Sequence, residues 1–115
     1  MVSAARTRAL HPEAVIAGRA KIPDPGELED MEVFFKVLGD STRLRILHAL
    51  LAGELCVGDL SKAFGMSVSA VSHQLAVLKS ARLVRHRREG KMVYYALTDH
   101  HVSAVLQSIR THLAE

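Results

Sequence analysis

The chain has 115 residues, which allows one domain of ordinary size, and with 49% hydrophobic residues it can bury a modest core. Three Phe, two Tyr and no Trp make that core aliphatic, and no run reaches the roughly 18 apolar residues that a membrane span needs. A net charge of +3 leans toward an acidic polymer such as nucleic acid.

Residues 1–26 read as a flexible arm: His11-Pro12 and Pro23-Asp24-Pro25-Gly26 are breakers, leaving space for at most a short helix after Pro12. The start of the chain is basic but no apolar stretch follows it, so no secretory signal is expected. A helix is expected from about Glu27 to Leu38, with Leu28, Met31, Phe34, Phe35 and Leu38 at helical spacing. Gly39-Asp40 stops it. Ser41 or Asp40 can then cap a second helix over 41–52, with Leu44, Leu47, Leu50 and Leu51 on its apolar stripe. The next predicted helix runs from Glu54 to Phe64, directing Leu55, Val57 and Leu60 inward. Gly65-Met66 makes a tight turn, and Ser67 caps a longer helix, Val68 to Ser80, that buries Val71, Leu75 and Leu78.

Short helix, glycine turn and second helix make a helix-turn-helix. After it, Leu83–Arg88 and Lys91–Leu97 alternate as two strands around Glu89-Gly90. The expected fold is therefore mainly α with a β-hairpin wing: a winged helix-turn-helix domain over 27–115. The second helix would place Ser67, Ser69, Ser72, His73 and Gln74 at the major groove of double-stranded DNA. Gln can pair bidentately with adenine, and Ser and His can bond to base edges or phosphates. The wing adds Arg85, Arg87, Arg88 and Lys91 as phosphate or minor-groove contacts, which set affinity and salt dependence more than sequence choice.

The last predicted helix, Asp99 to Glu115, carries Asp99 and His101 at its start and His112 and Glu115 at its end. Asp99 also suits an N-cap, and His112 with Glu115 also suits an ordinary solvated i, i+3 pair. Two imidazoles and two carboxylates nevertheless form the tetrahedral set that zinc accepts. Thirteen positions of a straight helix span roughly 20 Å, so one copy cannot bring both ends to one ion. Two copies lying antiparallel across a dimer axis can, and symmetry then makes two sites. Cobalt or nickel would fit similar donors, although octahedral nickel wants more of them.

Several motifs occur together here in order. Asp40-Ser41-Thr42-Arg43-Leu44-Arg45-Ile46-Leu47, Glu54-Leu55-Cys56-Val57-Gly58-Asp59-Leu60 and Ser69-Ala70-Val71-Ser72-His73-Gln74-Leu75 strongly resemble the ArsR/SmtB family of metal-sensing repressors. Arg88–Leu97 resembles the family's wing, and Asp99-His100-His101 resembles the entry to its C-terminal helix. The resemblance covers roughly residues 28–115. It implies a homodimer, joined through its N- and C-terminal helices, that binds operator DNA when metal-free and releases it when metal binds. It also implies that Asp99 and His101 of one protomer share zinc with His112 and Glu115 of the other. His112 would pass the change through its second ring nitrogen to a backbone carbonyl near Arg82.

The single cysteine excludes an intrachain disulfide and fits a reducing cytoplasm. Cys56 stands where some family members place thiolates of a second site. Asp59 and His11 could complete a vestigial site with it, while a buried structural cysteine is the plainer reading. A repressor of the same fold controlled by a thiol or another non-metal signal is the alternative. Neither pocket-forming loops nor a general base accompany the four ligands, so an enzyme is not expected.

Overall fold

The computed structural model describes Arg8 and residues 10–115, so the basic start of the chain, residues 1–7, lies outside it together with residue 9. The chain divides within its second helix into one unit that ends at Glu32 and another that runs from Val33 to Glu115.

In the first unit, α1 (Pro12–Lys21) is the short helix expected after Pro12, with proline at its first turn and no buried residue. α2 (Pro25–Leu38) begins two residues earlier than its apolar spacing predicts. Pro25 suits a first helical position, where no N–H is needed, and Asp24 Oδ1 accepts from the Glu27 N–H at 2.9 Å.

The second unit contains the end of α2, then α3 (Ser41–Ala49), β1 (Leu55–Cys56), α4 (Val57–Phe64), α5 (Val68–Ser80), β2 (Val84–Glu89), β3 (Met92–Leu97) and α6 (His100–Ala114). Asp40 is the cap of α3, accepting the Arg43 N–H at 3.0 Å. Ser67 caps α5 by accepting from Ala70 at 3.1 Å. Gly65 closes α4 in the left-handed conformation, φ +61°, which places the tight turn of the helix-turn-helix.

Two larger differences from the sequence reading concern α3 and α4. The predicted helix 41–52 ends at Ala49 and tightens into a 3-10 turn over Leu50–Ala52. The predicted helix from Glu54 begins only at Val57, because Leu55 and Cys56 pair with Tyr95 and Tyr94 as a short strand. Distant backbone partners override the local helical spacing there. The sheet is antiparallel in the order β1-β3-β2, and the β2–β3 hairpin runs in register from Val84 with Leu97 to Glu89 with Met92. Gly90 turns it with φ +61°.

Among the described residues, all the buried hydrophobic side chains but Cys56 gather in one cluster. Ile46 and Leu47 of α3, Leu60 of α4, Val71, Leu75 and Leu78 of α5 and Leu83 before β2 are completely enclosed. Val102 and Leu106 bring α6 onto them. The core is aliphatic, as the composition requires, and α5 has its inner stripe fixed within it.

Leu75→Ala should lower the unfolding free energy by about 2–5 kcal/mol through lost transfer energy and the cavity left behind. Urea denaturation reads this as a lower midpoint at unchanged slope. A loss below about 1 kcal/mol would show that the core collapses around the site, and so is not packed as described.

Candidate DNA-reading surface and metal ligands

With Val71, Leu75 and Leu78 held inward, helical geometry turns the opposite face of α5 outward. Ser67, Ser69, Ser72 and His73 are exposed there. Gln74 is not on that face. It stands half-buried on the flank, where its Oε1 accepts from Arg43 Nη1 at 3.3 Å. The bidentate pair expected with adenine would use this same oxygen as acceptor together with Nε2 as donor.

The wing cations also separate into two groups. Arg85, Arg87, Arg88 and Lys91 are all exposed. Arg87, however, grips both carboxylate oxygens of Glu54, with contacts of 2.8 to 3.1 Å, and reaches Glu89 at 2.8 Å. Its guanidinium also lies 4.7 Å from the centre of the Tyr94 ring. Hydrogen bonding to Glu54 and Glu89 raises its already high pKa, and the same bond to Arg87 holds the Glu54 carboxyl below its ordinary value. Arg87 thus ties the wing to the residue before β1, and its charge is largely compensated. Arg85 makes only a long bond to the Leu97 carbonyl, 3.4 Å. Arg88 and Lys91 have no ion-pair partner among the described residues. Glu54 and Arg43 escaped the sequence reading because each acts through a partner more than thirty positions away.

α6 is one unbroken helix with Asp99 as its N-cap, Oδ1 accepting from His101 N at 2.9 Å and Val102 N at 3.3 Å. The His101 Nδ1 lies 3.4 Å from the same oxygen. Desolvation is the largest single influence on Asp99 and opposes its ionisation, but the Val102 N–H, the His101 ring and the His101 N–H together outweigh it and hold the carboxyl below its ordinary value. The capping role and a ligand role are compatible, because Oδ2 is not needed for the cap. Asp99 and His101 therefore present one oxygen and one nitrogen donor side by side, both exposed. His112 and Glu115 are exposed at the other end, after more than three helical turns. Among the described residues no three His, Cys, Asp or Glu side chains of the single chain converge. His100 stacks against His101 with ring centres 4.1 Å apart. Cys56 is buried, 4% exposed, and Asp59 and His11 are exposed.

Before Asp99, Thr98 joins the start of α6 to the end of α5. Its Oγ1 donates to the Arg82 carbonyl at 2.8 Å and its N–H donates to Leu83 O at 3.1 Å. Arg82 is the one described non-glycine residue with a positive φ, +62°. The His112 proton is expected to reach a carbonyl near this residue, and the Arg82 carbonyl, which accepts from Thr98, keeps a second lone pair. Beside α6, an apolar groove of about 530 Å³ is lined by Phe35, Leu38, Leu44, His48, Ile109 and Leu113, among others.

An outward polar helix after a glycine turn, flanked by a basic hairpin, defines the winged helix-turn-helix class of DNA-binding domains. Residues 40–86 match the model of the bacterial regulatory protein, arsR family. The chain is 43% identical over 106 residues to the transcriptional repressor SmtB homolog of Synechocystis, covering 92% of this chain and 80% of that protein. It is 40% identical over 87 residues to the cadmium resistance transcriptional regulatory protein CadC homolog of Staphylococcus aureus, covering 75% and 72%. Its fold matches the solution structure of a homodimeric winged helix-turn-helix DNA-binding domain from Mycobacterium bovis, with a TM-score of 0.76, 31% identity and coverage of 82% and 89%. The chain belongs to the ArsR/SmtB family of DNA-binding transcriptional regulators. No helix among the described residues is long and apolar enough to cross a membrane.

On a DNA duplex, Arg88→Ala and Lys91→Ala should each flatten the logarithmic salt dependence of affinity by about 0.9, one phosphate contact each. Arg87→Ala should leave that slope within about 0.3 of the native value. Equal flattening by all three would mean that Arg87 leaves Glu54 for the DNA.

Proposed function

We propose that the protein is a metal-responsive transcriptional repressor: a cytoplasmic homodimer that holds operator DNA when metal-free and releases it when inter-subunit sites fill. The observation that carries this reading is the division of ligands on α6, with one carboxylate and one imidazole at each end of a single rigid rod. The residues that would hold the ion are Asp99 and His101 of one protomer with His112 and Glu115 of its partner. When bound, a zinc, cobalt or nickel ion supplies a cross-link between the start of one α6 and the end of the other.

The remaining parts belong to the chain itself. Phe35, Ile109 and Leu113 are 62%, 44% and 76% exposed, and such a row of apolar side chains on two helices suits burial against a second copy. The homodimeric relative from Mycobacterium bovis and the cadmium resistance regulator support the dimer and the metal respectively. Ser67, Ser69, Ser72 and His73 read the major groove, and Arg85, Arg88 and Lys91 hold phosphates. The two recognition helices of a dimer must meet grooves about 34 Å apart, so a small change between protomers changes the fit. Thr98 lies next to Asp99 and bonds to Arg82 and Leu83, so a displacement at the start of α6 reaches the end of α5 directly. The coupling is reciprocal: DNA must weaken metal binding by the factor with which metal weakens DNA binding. Burial of Cys56 argues against a thiol switch, because a responsive thiolate has to be reached.

Fluorescence anisotropy on a duplex selected by the native chain, titrated with zinc, tests the reading. Zinc should release DNA from the native protein, and His112→Ala should bind the duplex normally but stay bound at the same zinc concentration. Release is expected to correspond to at least about a tenfold loss of affinity, within the usual range of allosteric coupling. DNA binding that neither zinc, cobalt nor nickel alters would overturn it.

A further inference from the structure

Arg43 lies in the first turn of α3, half-buried, and its side chain faces two other helices. Its Nε donates to the Val37 carbonyl at 2.7 Å and its Nη1 donates to Gln74 Oε1 at 3.3 Å. Val37 lies in the last turn of α2, where carbonyls have no partner within the helix and a cation is favoured by the helix dipole. Gln74 lies at the middle of α5, between its buried stripe and its exposed face. One planar fork therefore joins the end of α2 to the recognition helix. The same turn of α2 contributes Phe35 and Leu38 to the apolar groove.

We propose that Arg43 is a positioning residue for DNA binding: it latches α5 to the C-terminal turn of α2, and Gln74 serves this latch instead of reading a base. The inference rests on α5 being the helix that reads DNA. Base reading then falls to Ser67, Ser69, Ser72 and His73, and the orientation of α5 follows that of α2. Arginine suits the role because its fork donates in two fixed directions at once. Lysine keeps the charge, but its three donors radiate from one nitrogen and cannot span the two acceptors as the planar fork does.

The test compares the full chain with Arg43→Lys, Gln74→Ala, Gln74→Glu and the Arg43→Lys/Gln74→Ala double variant. The probes are a duplex selected from a random library by the native protein and a scrambled duplex of the same composition. The readout is the ratio of the two affinities, which a mere loss of folded protein would not change. Arg43→Lys and Gln74→Ala should each lower this ratio about tenfold, the size expected of a hydrogen bond to a charged group. The double variant should fall no further than either single one, since both remove the same contact. Gln74→Glu gives Arg43 an ionic partner and should keep the ratio within about twofold of native.

Additive losses in the double variant, an unchanged ratio in Arg43→Lys, or a large loss in Gln74→Glu would overturn the latch. The last is what a side chain lying against DNA phosphates would give on becoming an anion. If the native protein itself shows no preference for its selected duplex, the DNA reading fails as well as the latch.

Discussion

The placement of α5 depends on the burial of Val71, Leu75 and Leu78, which are completely enclosed among leucines and isoleucine from α3, α4 and the segment before β2. No polar side chain is buried among the described residues, so an aliphatic cluster alone sets the inner face of the recognition helix. Everything outward follows from that constraint. The serines and His73 are exposed because their neighbours at helical spacing are not, and Gln74, on the flank, comes within reach of Arg43. The wing is attached to the same frame: Leu83 and Val84 are buried, β3 pairs with β1, and Arg87 clamps Glu54. Among the described residues, that leaves Arg85, Arg88 and Lys91 as the wing cations outside an ion pair.

A second constraint is the length of α6. Val102 and Leu106 fasten its first half to the core, whereas Ile109 and Leu113 continue its apolar face beyond the cluster into an open groove. A helix with half of its apolar face unpartnered and one carboxylate and one imidazole at each end is suited to a second copy of itself. The residues that would cross-link such a dimer stand beside those that fix the recognition helix. Asp99 caps α6 and Thr98, next to it, holds the Arg82 carbonyl.

Much of this was legible in the sequence because it is local. Caps at Asp40, Ser67 and Asp99, the glycine turn at Gly65 and the alternating hairpin each depend on a few neighbouring residues, and each stands where the pattern places it. What escaped depends on partners far along the chain. Leu55 and Cys56 keep a helical spacing yet pair with Tyr95 and Tyr94, some forty positions on. Arg87 was indistinguishable from Arg88 as a cation until Glu54 was brought beside it, and nothing local to Gln74 announces its bond from Arg43. The family resemblance rested on contiguous motifs and extends across both kinds of feature without explaining the second.

Sharing of the proposed metal site between protomers can be tested with a mixed dimer. His101→Ala disables the start of α6 and His112→Ala disables its end, so neither variant alone should keep a complete site. In a purified dimer of one His101→Ala chain and one His112→Ala chain, one pairing joins two damaged ends and the other joins two intact ones. Zinc titration should then find one tight site per mixed dimer and none in either parent. No tight site in the mixed dimer, or one retained in either parent, would contradict it.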